Sequence, residues 1–160
     1  MTTQSVGHVL CKAVSYEIEG ESLAPVLCFC IGCQIVSGSS CYTSFLFRPN
    51  QFKLTQGNVS IYSSKSAAGR DVQRHFCPHC GTRIRGLCLE IDVTGVNAMT
   101  LDDKSLFKPA FNHMQQSAPD WCLLDKTLAT LGILARLYLI RALVAVLITK
   151  RSKIEAPLFK

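Results

Sequence analysis

The opening residues, MTTQSVGHVLCKAV, contain no unbroken apolar run of the length that a secretory signal requires. The expectation is a protein that is not secreted and works in the cytoplasm, where thiols stay reduced. Between residue 7 and about residue 106 no stretch holds a clean 3.6-residue apolar period, which excludes long amphipathic helices from most of the chain. Internal repeats and low-complexity segments are missing too, so neither a repeat array nor a compositionally biased linker is indicated. Excess charge is lacking in the larger part of the chain. Residues 1–122 carry ten Lys or Arg against nine Asp or Glu, a net of +1, although the 160-residue whole stands at +6. Binding to a phosphate backbone rests on clustered cations, and no nucleic-acid partner is expected for this part.

Cysteine is what the chain has in excess, nine residues in all. A chain of this length buries enough apolar surface to fold without disulfide staples. An odd number of reduced thiols is then divided among buried packing, metal binding and reactivity, and spacing decides which.

Short alternating or β-rich runs broken by turn signals make residues 7–122 mostly β. Candidate strands are 8–16, 42–47, 59–63 and 87–93. Turns are expected at Gly20, Pro49, Gly57 and Gly69. After Trp121 the character changes. Residues 128–148 are almost continuously Leu, Ile, Ala and Val, and the divergent tail 123–160 is expected to be helical. It carries a net of +5, seven Lys or Arg against two Asp or Glu. Arg136 and Arg141 interrupt the apolar run, each at a cost of about 2.5 to 3.5 kcal/mol on insertion scales, which argues against a clean membrane span. Association of the tail with an anionic membrane surface and packing against protein both remain open.

Two cysteine clusters carry the chemistry. Cys28, Cys30 and Cys33 form a C-x-C-x-x-C run with Gly32 inside it, three thiolates able to converge on one zinc ion if the chain folds back sharply. Three protein ligands leave the fourth tetrahedral position open, the mark of catalytic zinc, unless a further thiol such as Cys41 closes it. Cys77-Pro78-His79-Cys80-Gly81 is a knuckle, two thiolates two residues apart with a glycine to turn the chain away. It needs ligands from elsewhere, and Cys11 is the best single candidate. Cys88 and Cys122 read as packing residues. His79 is expected to point outward, and nothing beside His113 marks it as a ligand. Asp102 and Asp103 read as a solvated loop or cap.

The order of these features resembles the glutathione-dependent formaldehyde-activating enzyme family, which includes centromere-protein-V-like proteins. The resemblance rests on Gly7-x-Val9-x-Cys11, the Cys28, Cys30, Cys33 run, Arg74-x-Phe76-Cys77-x-x-Cys80-Gly81-Thr82, Leu101-Asp102-Asp103, Pro109, His113, Pro119 and Trp121. It implies a mostly β, Mss4-like fold with two zinc sites. Cys11, Cys77 and Cys80 would belong to a structural site, and Cys28, Cys30 and Cys33 to the catalytic one. The activity implied is that of a carbon-sulfur lyase joining a thiol such as glutathione to formaldehyde as S-hydroxymethylglutathione. The alternative is a non-catalytic zinc-binding interaction module of the centromere protein V-like type.

Two positions depart from the family pattern. Val9 stands where a first ligand cysteine belongs, which leaves the structural site weakened, and His8 beside it is a poor substitute because neighbouring strand residues face opposite ways. Phe29 replaces a common histidine between the first two catalytic-site cysteines, removing a polar group while leaving the thiolates in place.

Overall fold

The structure is a computed structural model and describes residues 4–130. Eleven strands are present among these residues: β1 (Gln4–His8), β2 (Ser15–Glu19), β3 (Ala24–Cys28), β4 (Tyr42–Phe47), β5 (Phe52–Gln56), β6 (Ser60–Lys65), β7 (Asp71–Phe76), β8 (Arg83–Cys88), β9 (Val93–Asn97), β10 (Phe111–His113) and β11 (Ala129–Thr130). A single α-helix among them, α1 (Ile31–Ser37), follows β3. The mostly β expectation holds. One sheet runs in the order β1-β2-β5, and a larger one in the order β11-β10-β3-β4-β9-β8-β7-β6. All pairings are antiparallel except those of β10 with β3 and with β11.

The core takes side chains from both sheets. Val9, Val14, Tyr16 and Ile18 from the first hairpin meet Phe45, Phe47, Ile84, Val96 and Leu101, with Cys77 among them. Tyr16 stacks on Phe52 at 4.9 Å between ring centroids, and its hydroxyl lies 2.7 Å from Thr100 Oγ1. Gly7 is obligatory for this packing, because an added Cβ would overlap the Tyr16 ring and come to 2.7 Å from the Thr100 carbonyl oxygen.

Strand 42–47 matches β4, and residues 59–63 fall on β6 displaced by one or two positions. Residues 8–16 are instead a hairpin turn joining β1 to β2, in which His8 pairs with Ser15 and the Lys12 amide donates to the Val9 carbonyl at 2.9 Å. Residues 87–93 also fold back on themselves, since Leu89–Ile91 is a 3₁₀ turn and Cys88 pairs with Val93 across β8 and β9. Both turns pivot on a residue other than glycine at positive φ, Lys12 at 59° and Asp92 at 50°. The turns signalled by glycine are where they were expected, with Gly20, Gly57 and Gly69 at φ of 85°, 76° and 77°.

Residues 128–130 do not begin a helix. Ala129 and Thr130 pair with Phe111 and Asn112, and the Asn112 side-chain amide donates to the Asp125 carbonyl at 2.9 Å. The rest of the expected tail helix, and the membrane association resting on it, lie outside the described residues. Among those described, no helix is long and apolar enough to cross a membrane.

Candidate functional site

All nine cysteines are free thiols. Six of them gather into two groups of three, Cys28 with Cys30 and Cys33, and Cys11 with Cys77 and Cys80; within each group the sulfurs lie within 4.8 Å of one another. Three soft donors at that spacing fit a zinc ion. No fourth His, Cys, Asp or Glu among the described residues joins either group, and Cys41, weighed as a closing ligand, lies outside both.

The first group is built where β3 gives way to α1. Cys28 is the last residue of the strand, and Cys30 is the extended N-cap residue whose carbonyl accepts the Cys33 and Gln34 amides at 2.9 and 3.0 Å. The fold-back is therefore made by the helix start. Gly32 lies inside α1 without positive φ, so the turn freedom expected of it is not used. The Gln34 side chain fixes the approach by donating to the carbonyls of Phe29 and Ser117 at 2.6 and 2.7 Å. Phe29 is buried at 3% exposure, and its amide donates to the His113 carbonyl at 2.9 Å.

Across the sheet Cys28 pairs with Tyr42 on one side and with His113 on the other. Directly paired residues share a face, so these two flank the thiol group. The Arg83 guanidinium lies over the Tyr42 ring, 4.2 Å from its centroid. No sequence signal marked Tyr42 or Arg83. Both come to the site through strand pairing and a long-range contact, and His113 is placed there in the same way.

The metal-free thiols of this group titrate as a unit. Hydrogen bonding from Cys28, then Cys33, holds Cys30 far below the usual thiol range, while the same contacts, first with Cys30 and then Cys33, together with burial, push Cys28 far above it. Cys33 rises to about 11: hydrogen bonding to Cys28 pulls it down but is outweighed by Cys30 and burial, with the Arg83 charge a further downward pull. The three thiols therefore compete for ionisation, and a bound cation would favour the thiolate form of each.

The second group joins two turns distant in sequence. Cys11 sits exposed in the β1–β2 turn rather than on a strand, and its sulfur is 3.7 Å from that of buried Cys77. Cys77 and Cys80 bracket the β7–β8 turn, closed by the Gly81 amide donating to the Cys77 carbonyl at 3.0 Å, with Gly81 at φ 72° as its place in the knuckle requires. Thr82 bonds to both turns. Its hydroxyl accepts the Leu10 amide at 3.3 Å and lies 3.1 Å from the Cys80 sulfur, and its side chain and then its backbone pull the Cys80 thiol down to about 6.

Val9 takes no part in this group. It is 2% exposed in the hydrophobic core, and His8 is engaged elsewhere, its Nδ1 lying 2.8 Å from Asp102 Oδ1. Asp102 is exposed, as a solvated loop residue was expected to be, and accepts this contact from His8, while Asp103 caps the turn at Ser105 as expected. Cys88 is buried and His79 exposed, in keeping with their expected roles.

A cavity of about 470 Å³ opens between the second half of α1, at Val36 and Ser37, and the knuckle residues Cys80 and Thr82, with Tyr42 and Arg83 in its wall. That is the size range of small-molecule sites.

Comparison with known proteins gives two findings. The family described as glutathione-dependent formaldehyde-activating enzyme matches residues 4–117. A crystal structure of a Rhodobacter sphaeroides protein is similar with a TM-score of 0.51 at 20% identity, covering 65% of this chain and 96% of that one, a likeness of fold alone. No curated protein sequence matches the chain. The β-rich architecture with its cysteine clusters fits the Mss4-like fold.

Proposed function

Because the chain belongs to the glutathione-dependent formaldehyde-activating enzyme family, we propose that it is a zinc-dependent carbon-sulfur lyase acting on the adduct of a glutathione-type thiol and an aldehyde. The observation that carries this reading is the convergence of the Cys28, Cys30 and Cys33 sulfurs within 4.8 Å without a fourth ligand among the described residues. Such a site leaves room for a substrate sulfur. Cys11, Cys77 and Cys80 would hold a second zinc of structural role, tying the first hairpin to the β7–β8 turn.

Zinc held by Cys28, Cys30 and Cys33 would supply the Lewis acidity that keeps a substrate thiol deprotonated near neutral pH. The protein supplies position and hydrogen bonds. A thiolate beside Cys28 faces Tyr42, whose phenol burial keeps protonated against the opposing pull of Arg83. Its hydroxyl is buried without a hydrogen-bond partner among the described residues, and would donate to the aldehyde oxygen as charge develops there once the bound adduct has opened access to it. The sulfur-carbon bond forms as the carbonyl π electrons move to oxygen, which takes up the proton the thiol gave away. The reaction is redox-neutral, and its reversal is the lyase direction. Phe29, buried between two of the cysteines, excludes water.

Val9 and Phe29, buried apolar residues at positions where the family pattern has a ligand and a polar group, favour the rival reading of a non-catalytic zinc-binding module. Zinc content and adduct exchange separate the two. The full chain is expected to hold two zinc ions, and Cys28→Ser to hold one. NMR exchange between free and hydroxymethylated glutathione is expected to accelerate with native protein and not with Cys28→Ser. Full zinc content with an unchanged exchange rate would establish the module instead.

A further inference from the structure

Four large apolar side chains stand exposed on two neighbouring elements: Ile31 and Ile35 on α1, at 59% and 75% exposure, and Trp121 and Leu123 in the segment after β10, at 74% and 99%. Ile31 and Ile35 are four residues apart and so share one stripe of the helix. Gln34 borders that stripe and donates to the Ser117 carbonyl at 2.7 Å, which ties the segment after β10 to the helix. Past the far end of α1 the Cys41 thiol, raised first by burial, is raised further by Cys122, so the residue between Trp121 and Leu123 lies close to Cys41. Single exposed apolar residues are ordinary, but aromatic and aliphatic side chains gathered on adjoining elements mark a docking face.

The topology shows what else leaves from this end of the larger sheet. β3, β10 and β11 run parallel, so their C-terminal ends open on the same edge. β3 leads into α1 there, β10 into the segment that carries Trp121, and β11 into residues 131–160. In sequence those residues are mostly Leu, Ile, Ala and Val as far as Ile148, followed by Lys150, Arg151 and Lys153. Six Lys or Arg stand against one Glu among them, a net of +5. The chain thus leaves the described fold at the end that carries the exposed apolar surface, and continues into a sequence that is apolar first and cationic after. An anionic bilayer suits both features, because Trp and aliphatic side chains partition into its interfacial layer while Lys and Arg are drawn to its charge. Neither feature suffices alone. Four side chains bury little area, a run broken by Arg136 and Arg141 makes a poor span, and stable attachment of a peripheral protein takes two signals.

We propose that the surface formed by Ile31, Ile35, Trp121 and Leu123 is a membrane-docking face, which seats this end of the domain on an anionic lipid bilayer in concert with the cationic sequence that follows Thr130. The inference is independent of the carbon-sulfur chemistry proposed above.

Trp121 is the chain's one tryptophan, so its fluorescence reports on this surface alone. The test mixes the full chain with vesicles of phosphatidylcholine, with and without phosphatidylserine, and follows co-sedimentation, the Trp121 emission maximum and its quenching by brominated lipid. Binding to the phosphatidylserine vesicles is expected, weakening as salt is raised, with a blue shift of Trp121 and quenching by the brominated lipid. The double variant Ile35→Asp, Leu123→Asp is expected to bind roughly 10- to 100-fold more weakly, with zinc content and Tm unchanged because neither side chain is buried. Vesicle binding with Trp121 unshifted and unquenched, or with the double variant binding as well as the native chain, would overturn the proposal by leaving attachment to residues 131–160 alone. A blue shift that grows with protein concentration in the absence of lipid would overturn it in favour of a second copy covering the face. Equal binding to both kinds of vesicle would overturn the requirement for anionic lipid, and binding to neither would overturn the proposal outright.

Discussion

Replacing Cys11 by serine removes one sulfur from an exposed turn and leaves the hydrophobic core untouched, so its effect on stability must come through the metal. A metal ion clamping Cys11 to Cys77 closes a loop of 66 residues. Treated as a cross-link, it removes about 4 kcal/mol of chain entropy from the unfolded state, whereas the clamp on residues 28 to 33 closes only a short local loop worth about 2 kcal/mol. For a domain of this size those figures correspond to falls in Tm of on the order of 12 and 6 °C. Cys11→Ser is therefore expected to melt well below Cys28→Ser in scanning calorimetry with zinc present, although each has lost one ligand of three. Chelating the zinc should bring native protein and both variants to nearly the same Tm. If Cys11→Ser melted with the native protein in excess zinc, or if Cys28→Ser were the less stable, the division into a clamping site and a peripheral one would be wrong.

Three further outcomes follow from the same geometry. Gly7→Ala, which drives a Cβ into the Tyr16 ring and against the Thr100 carbonyl, should lower unfolding free energy by roughly 3 kcal/mol in urea titrations; an unshifted midpoint would mean that β1 can slide away from β2. Val9→Cys should slow zinc transfer from the knuckle site to a chelator by adding a fourth thiolate beside Cys77, and an unchanged transfer rate would show that position 9 cannot reach the metal. His75 is held neutral down to about 4, by burial first and then by Arg85, against about 6.5 when unfolded. As pH falls from 6.5 toward 4 the unfolded chain takes up a proton that the fold refuses, so stability drops. Relative to His75→Asn, the native protein should lose about 1 kcal/mol by pH 5 after allowance for solvent screening, and parallel Tm profiles for the two would refute this.

The cysteine spacings were legible because the ligands of each cluster are local. Three thiols within six residues, or two across a tight turn, can hardly serve a metal except together. Cys11 was legible only as the best remaining candidate for an incomplete knuckle, an assignment the family resemblance then implied too, since nothing local to it points to a partner 66 residues away. The two hairpins at residues 8–16 and 87–93 were read as continuous strands for a physical reason. Alternation runs straight through both turns, and Lys12 and Asp92 adopt positive φ without the glycine that usually announces it. Arg83 left no trace in the sequence, although Ile84 beside it is buried in the core. Its neighbourhood with Tyr42, and theirs with Cys28, comes from strand pairing that no local pattern encodes.

The helix that carries Cys33 has seven residues and buries none of them. A segment so short does not hold helical form by propensity alone, and this one has no hydrophobic face pressed against the sheets. Its order is borrowed from the backbone at Cys30, from the two hydrogen bonds of Gln34, and from whatever its sulfurs bind. Cys33 is thus placed on a unit whose opening would expose no buried residue of its own. Amide hydrogens of residues 33–38 should exchange orders of magnitude faster than those of β4 or β9 when the metal is withdrawn, and slow selectively on its return. Metal exchange at Cys28, Cys30 and Cys33 would then be a local event, decoupled from the global unfolding that a metal held by Cys11, Cys77 and Cys80 would resist.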